Sequence, residues 1–156
     1  MEYLKRESRA RFKHELQPNW EKTAEIEKQE KYVKFNEWCD QNGVIRDCCR
    51  YPVAFGEDGQ LIGVAAAKDV GLNEAFVYVP TRLIINESKF KADPQVGHIL
   101  EQHSDFFDDR DNSEHMKVTF YVMHELTKGV DSFWHWYFEV SDLPDMLAFW
   151  SEEELS

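Results

Sequence analysis

Tyr51-Pro52-Val53-Ala54-Phe55-Gly56-Glu57-Asp58-Gly59-Gln60-Leu61-Ile62-Gly63-Val64-Ala65-Ala66 is the stretch on which the fold class turns. Two short apolar runs, 51–55 and 61–66, flank Gly56-Glu57-Asp58-Gly59, and this alternation of β-prone run and turn signal predicts short strands. The pattern extends outward on both sides. Val44-Ile45, Ala75-Phe76-Val77-Tyr78-Val79 and Leu83-Ile84-Ile85 are further short runs, set apart by the turn text from Asp69 to Asn73 and by Pro80. No gap holds a crossover helix, so the expected arrangement is a group of small antiparallel sheets over about 44–86, not a βαβ wrap.

Helix-like text lies on either side. From Trp20 to Asp40, Glu27 and Lys31, then Glu30 and Lys34, stand four apart with the acid first, the favourable order for a helical pair. Tyr32, Phe35, Trp38 and Cys39 share one face, and Gln41-Asn42-Gly43 supplies a left-handed stop. One continuous amphipathic helix is expected there, with a second helical piece before Pro18. After Ser88 the run 118–123 has strand-like composition, but Met116, Phe120, Met123 and Thr127 fall on one helical face and Gly129 follows as a stop, so helix is expected. Ser132-Phe133-Trp134-His135-Trp136-Tyr137-Phe138 is an aromatic cluster closed by Leu143-Pro144, with Asp131-Ser132 as the N-cap of its helix. Trp38, Phe133, Trp134 and Tyr137 are expected in the core. Ser151-Glu152-Glu153-Glu154 reads as a helix start without a body, which predicts that the chain is the front part of something longer. The expected division is an N-terminal helical extension, 1–29, and a domain over 30–156. The overall class is α+β.

The composition bounds what such a domain does. Of 156 residues, 14% are aromatic, with five Trp and eleven Phe, which argues against a disordered chain. No run approaches the roughly 20 apolar residues of a membrane span. The net charge of −12 argues against nucleic-acid binding. That charge is uneven: residues 1–50 sum to +1 and residues 51–156 to −13. Cys39, Cys48 and Cys49 form neither a disulfide framework nor a zinc pattern, which points to reduced thiols in an intracellular, reducing compartment. Lys5, Arg6, Arg9, Arg11 and Lys13 give the first residues a basic character, but Glu2 and Glu7 argue against a mitochondrial presequence. A cytoplasmic location is expected.

Recognisable catalytic spacing is missing. His124-Glu125 opens like the metal motif H-E-x-x-H, yet position 128 is Lys. The acidic run 105–114 fails as a calcium loop, because counting from Asp109 its sixth position is Glu114 and its twelfth is Phe120. No phosphate loop, dinucleotide fingerprint or nucleophile elbow is present. Neither a metal site nor a catalytic residue is expected.

Four blocks, taken in order, resemble a known family. They are Phe35-x-x-Trp38-x-x-x-Asn42-Gly43; Leu61-Ile62-Gly63-Val64-x-Ala66-x-x-Asp69-Val70; Val79-Pro80-x-x-Leu83; and Lys128-Gly129-Val130-Asp131-Ser132-Phe133-Trp134-x-x-Tyr137. Together they resemble the front half of the SET-domain protein methyltransferases of the Rubisco-large-subunit and actin-histidine type, over about residues 30–156. The end, Phe149-Trp150-Ser151-Glu152-Glu153-Glu154-Leu155, is similar to the entry into that family's helical insert. The resemblance implies small SET-type sheets, and S-adenosylmethionine held against a Gly-x-Gly-Leu loop at Leu61, Ile62, Gly63, Val64 and Ala65. It also implies a second SET half that supplies an Asn-His pair and a tyrosine, with lysine or histidine nitrogen as methyl acceptor.

Three departures shape the functional expectation. The second half is not among these residues. Leu61 replaces the loop's first glycine, where a side chain intrudes on a ligand approached by backbone. Ala65 stands where the family often carries an arginine. Glu87 lies one residue out of register with the family's pocket acid. The expectation is a partial SET domain, non-catalytic as given, serving as scaffold or interaction subunit of a larger assembly, with a protein partner covering its open face and no cofactor for the chain alone. The alternative is a fragment of an active S-adenosylmethionine-dependent protein-lysine or protein-histidine N-methyltransferase.

Overall fold

The computed structural model describes residues 17–109, 114–141 and 151–152. Along the chain run α1 (Trp20–Ile26), α2 (Glu30–Gln41), β1 (Cys49–Phe55), β2 (Leu61–Ala66) and a 3-10 turn at Thr81–Leu83. Then follow α3 (Glu87–Ala92), α4 (Gly97–Gln102), α5 (Ser104–Phe107), α6 (Glu114–Thr127), a 3-10 turn at Gly129–Asp131 and α7 (His135–Val140). The helical piece expected before Pro18 and the Leu143-Pro144 closure lie outside the described residues, as does most of the helix start expected at Ser151.

Asn19 starts α1: its side-chain oxygen accepts from the Lys22 N–H at 2.9 Å, satisfying one of the free donors of the first turn. The same element is sewn to the sheet by Thr23, fully buried, whose hydroxyl donates to Asn19 O at 2.7 Å and accepts from Ala54 N at 3.0 Å.

The continuous helix expected over 20–40 is broken at 27–29, where Gln29 takes an extended conformation, ψ 136. Ile26 and Tyr32 both enter the core formed with Ala54. Six residues of unbroken helix would set them about 120° apart, so the break lets both point the same way. Glu27 stands at the C-cap of α1. Its carboxylate takes both Arg50 Nε and Nη2, at 2.7 and 2.8 Å, fixing the break to β1. The helix end is as expected: Asn42 is the C-cap of α2 and Gly43 has φ +72. Gly129, after α6, has φ +55.

Of the expected strands, two form. β1 and β2 pair antiparallel, with Phe55 opposite Leu61 and Cys49 opposite Ala66, and the register shifts between Arg50 and Val53 around Pro52. Residues 75–79 are not a strand. Among the described residues their pairing is one bridge, in which Ile45 and Tyr78 exchange N–H···O bonds of 3.0 and 2.8 Å. Residues 83–85 are not a strand either, because Pro80 opens a 3-10 turn that buries Leu83, and Asn86 immediately caps α3. β-branched composition suits a strand only where a partner edge is available, and among the described residues only the Ile45 bridge reaches these runs.

Two cores result. Ile26, Tyr32 and Ala54, with Tyr51, Ile62 and Val140 against them, fill the sheet side. Phe90, Leu100, Phe107, Tyr121 and Trp134, joined by Trp38 and Phe138, fill the helical side. Trp38 belongs to α2 and so ties the two together: its ring meets Phe133 at 5.6 Å and its N–H donates to Phe133 O at 3.0 Å. Trp134 is buried as expected, whereas Phe133 and Tyr137, also expected in the core, are 47% and 43% exposed. The reason is that α7 starts at His135, later than the expected cap, and the preceding turn swings Phe133 outward. Gly97 is a close-approach glycine: a Cβ there would stand 2.5 Å from the carbonyl oxygen of Lys91, so α3 and α4 meet backbone to backbone.

Candidate functional site

Residues 61–65, where the resemblance implies a cofactor loop, lie inside β2, the run expected as a strand. Leu61, Ile62, Gly63 and Ala65 stand opposite Phe55, Ala54, Val53 and Arg50. Ile62 packs into the sheet-side core. Leu61 and Val64 are each 56% exposed. Gly63 lies under the Phe55 ring, where a Cβ would come to 3.3 Å of Cε2. None of the five side chains carries a hydrogen-bonding group, so charged or polar ends of a ligand would meet backbone alone.

Beyond β2 the chain folds a polar knot around Glu74, which accepts from Gly71 N at 2.9 Å and pairs with Lys68 at 3.2 Å. The buried Cys48 thiol donates to the same carboxylate at 3.4 Å. Burial and that carboxylate push the thiol above its usual range, so it stays protonated at neutral pH. Cys39, Cys48 and Cys49 are all free thiols.

The second site is one that sequence reasoning missed. α6 presents His124, Glu125 and Lys128 inward, toward Asp93 at the end of α3. Lys128 Nζ lies 2.5 Å from Glu125 Oε1 and 3.1 Å from Asp93 Oδ2. Ser132 donates its hydroxyl to Glu125 Oε2 at 2.7 Å and accepts from Trp134 N at 3.1 Å, which is the capping work expected of it, done one turn early. Asp93 caps the next turn through Gln95 N at 2.8 Å and Val96 N at 3.2 Å. His124 Nε2 is buried without a hydrogen-bond partner, 3.7 Å from Asp93 Oδ2. Asp93, His124 and Glu125 present ligand atoms within 4.8 Å of one another, a geometry that suits a cation. The Lys128 ammonium supplies that cation from within the chain, and a metal ion would have to displace it. The signal in the sequence was the spacing of Lys117, Tyr121, His124, Glu125 and Lys128 along one arc of α6, opposite the Met116, Phe120, Met123 and Thr127 face.

The electrostatics follow from this packing. Burial opposes ionisation of Asp93, but the Gln95 N–H, the Lys128 ammonium and the Val96 N–H outweigh it and hold the carboxyl below its ordinary value. Burial lowers the tendency of Lys128 to be charged, and Glu125 and Asp93 more than restore it. The Tyr121 phenol is raised by burial and by the negative charges of Glu125 and Asp93. Because Asp93 titrates lower folded than unfolded, its contribution to stability is complete above its unfolded value of about 4 and is lost as pH falls through the folded one. Urea unfolding from pH 7 downward should show stability dropping below about pH 4, and Asp93→Asn, which keeps the capping oxygen, should flatten that drop. An unchanged pH profile in the variant would show that Asp93 does not carry the acid sensitivity.

Glu87, the residue near the family's pocket acid, is spent structurally: its carboxylate bonds Lys117 Nζ at 3.1 Å, and Lys117 also holds Asp108 at 3.1 Å. Among the described residues no helix is long and apolar enough to cross a membrane.

Comparison with known proteins completes the description. No protein-family model matches the chain. It is 29% identical over 124 residues to the chloroplastic ribulose-1,5 bisphosphate carboxylase/oxygenase large subunit N-methyltransferase of Pisum sativum, a match covering 78% of this chain and 22% of that protein. A solved structure of Rubisco LSMT bound to sinefungin and monomethyllysine matches with a TM-score of 0.61 and 27% identity, over 81% of this chain and 27% of that one. The chain thus spans less than a third of the relatives it matches. It is homologous, over that span, to the Rubisco large-subunit methyltransferase, a SET-domain protein, and shares its mixed α/β architecture.

Proposed function

We propose that the chain is a SET-type interaction module that does not catalyse methyl transfer by itself. The observation that carries this reading is the state of residues 61–65: an apolar strand with outward Leu61 and Val64, without a polar side chain to grip a cofactor. A protein partner covers the apolar surface left open around the sheet, where Ile45, Leu61, Val64, Phe76 and Tyr78 are each more than half exposed. Residues 1–29 act as an N-terminal extension whose last turn is anchored through Ile26, and 30–156 as the partial SET domain. The three free thiols agree with a reducing, cytoplasmic setting.

The alternative reading, part of an active S-adenosylmethionine-dependent N-methyltransferase, is supported by the sinefungin bound to the solved relative. Calorimetric titration of the chain with S-adenosylmethionine separates the two, after circular dichroism has shown the chain to be folded. The interaction-module reading expects no heat at millimolar cofactor. Saturable binding at micromolar concentration would overturn it.

A further inference from the structure

Helix α6 is built inside out. At about 100° per residue its inward arc contains Lys117, Tyr121, His124 and Glu125, continued by Lys128 just past its end, and Lys117, Glu125 and Lys128 are held in the ion pairs described above. Its outward arc contains Met116, Phe120, Met123 and Leu126, which are 36%, 41%, 57% and 53% exposed. Phe106 of α5, 43% exposed, extends this face at one end through ring contact with Phe120 at 6.4 Å. An ordinary surface helix places its charges outward and its apolar stripe inward. Here the polar arc is consumed in the core, and about 20 Å of uncharged, methionine-containing helix is left facing out.

The rim indicates what covers it. Asp105, Asp108, Asp109 and Glu114 are all exposed around the Phe106 end. Among the described residues at this end, Lys117 has a side chain only 12% exposed and bonds Asp108 and Glu87. A second copy of the chain would bring another acidic rim, in a molecule already at −12, against this one. An anionic membrane is disfavoured by the same charge. We infer that the outer face of α6 docks a basic amphipathic helix of a partner protein. Apolar side chains at helical spacing would lie along Met116, Phe120 and Met123, with lysine or arginine over the acidic end. This goes beyond the interaction-module reading and would stand whether or not the chain binds cofactor.

The test uses a labelled leucine–lysine peptide of about four helical turns as probe, read by fluorescence anisotropy against the folded chain. A leucine–glutamate peptide of the same pattern is the control. Saturable micromolar binding of the lysine peptide alone is expected, weakening as salt rises from about 0.05 to about 0.3 M. Met123→Glu decides between docking and simple charge attraction. The added acid would strengthen purely Coulombic binding, whereas burial of Met123 under a partner predicts at least about a tenfold loss. Met123 is more than half exposed, so the variant should fold, which near-ultraviolet circular dichroism checks. Three results would overturn the inference: equal binding of both peptides, undiminished binding by Met123→Glu, or sedimentation and vesicle assays showing that this face instead joins two copies or binds neutral lipid. None of these touches the cofactor titration, so the two readings fail separately.

Discussion

Trp134→Ala should cost about 3–5 kcal/mol of folding stability, the usual range for truncating a large buried aromatic. The side chain is 5% exposed and lies at the centre of the helical core with Phe90, Leu100, Phe107 and Tyr121. Its ring meets Tyr121 edge-on at 5.9 Å, and its N–H donates to Leu83 O at 3.1 Å, tying α7 to the 3-10 turn that follows the sheet region. Alanine removes the ring and leaves the Leu83 carbonyl without its buried donor, so a packing loss and a hydrogen-bond loss fall on one position. Urea unfolding followed by far-ultraviolet circular dichroism measures the change. Trp134→Phe, which keeps most of the ring volume, should recover more than half of the loss. A change below about 1 kcal/mol for the alanine variant would mean that this core is not packed as described.

Glu125→Ala should cost about 3 kcal/mol, toward the lower end of the range for removing one member of a buried ion pair. Glu125 is 2% exposed and accepts from Lys128 on one oxygen and from Ser132 on the other. Without it, Lys128 retains Asp93, and its side chain, 24% exposed, can turn partly to water. That is why the lower end applies. The Ser132 hydroxyl loses its acceptor while still serving Trp134 N, so the α7 entry loosens as well. Glu125→Gln, which restores an acceptor without the charge, should fall between the two. The same unfolding assay decides. Equal stability of the glutamine variant and the parent would show that hydrogen bonding, not charge, holds this junction.

Much of the fold could be read from local chemistry. The end of α2 at Asn42-Gly43 and of α6 at Gly129 needed only residues tolerant of positive φ. The β1–β2 pair needed only two short apolar runs joined by turn residues. What escaped was set by distant partners. The break at 27–29 exists because Glu27 reaches Arg50 and because Ile26 and Tyr32 share a core, and neither is visible within the helix text. Residues 75–79 look like a strand but lack a neighbouring edge beyond Ile45. The charged cluster on α6 was hidden by the ordinary assumption that the apolar face is the buried one. Residues 61–66 form β2, as their apolar run suggested, paired with 49–55.

The link between Trp38 and Phe133 also sets a timetable during synthesis. The indole N–H and the carbonyl that accepts it are separated by 95 residues. At translation rates of about 5–20 residues per second, Trp38 waits on the order of ten seconds before its partner has been made. Throughout that interval α2 presents Trp38 to solvent without its Phe133 contact. A ribosome-bound chain stalled before residue 133 should therefore engage chaperones more strongly than one released beyond α7.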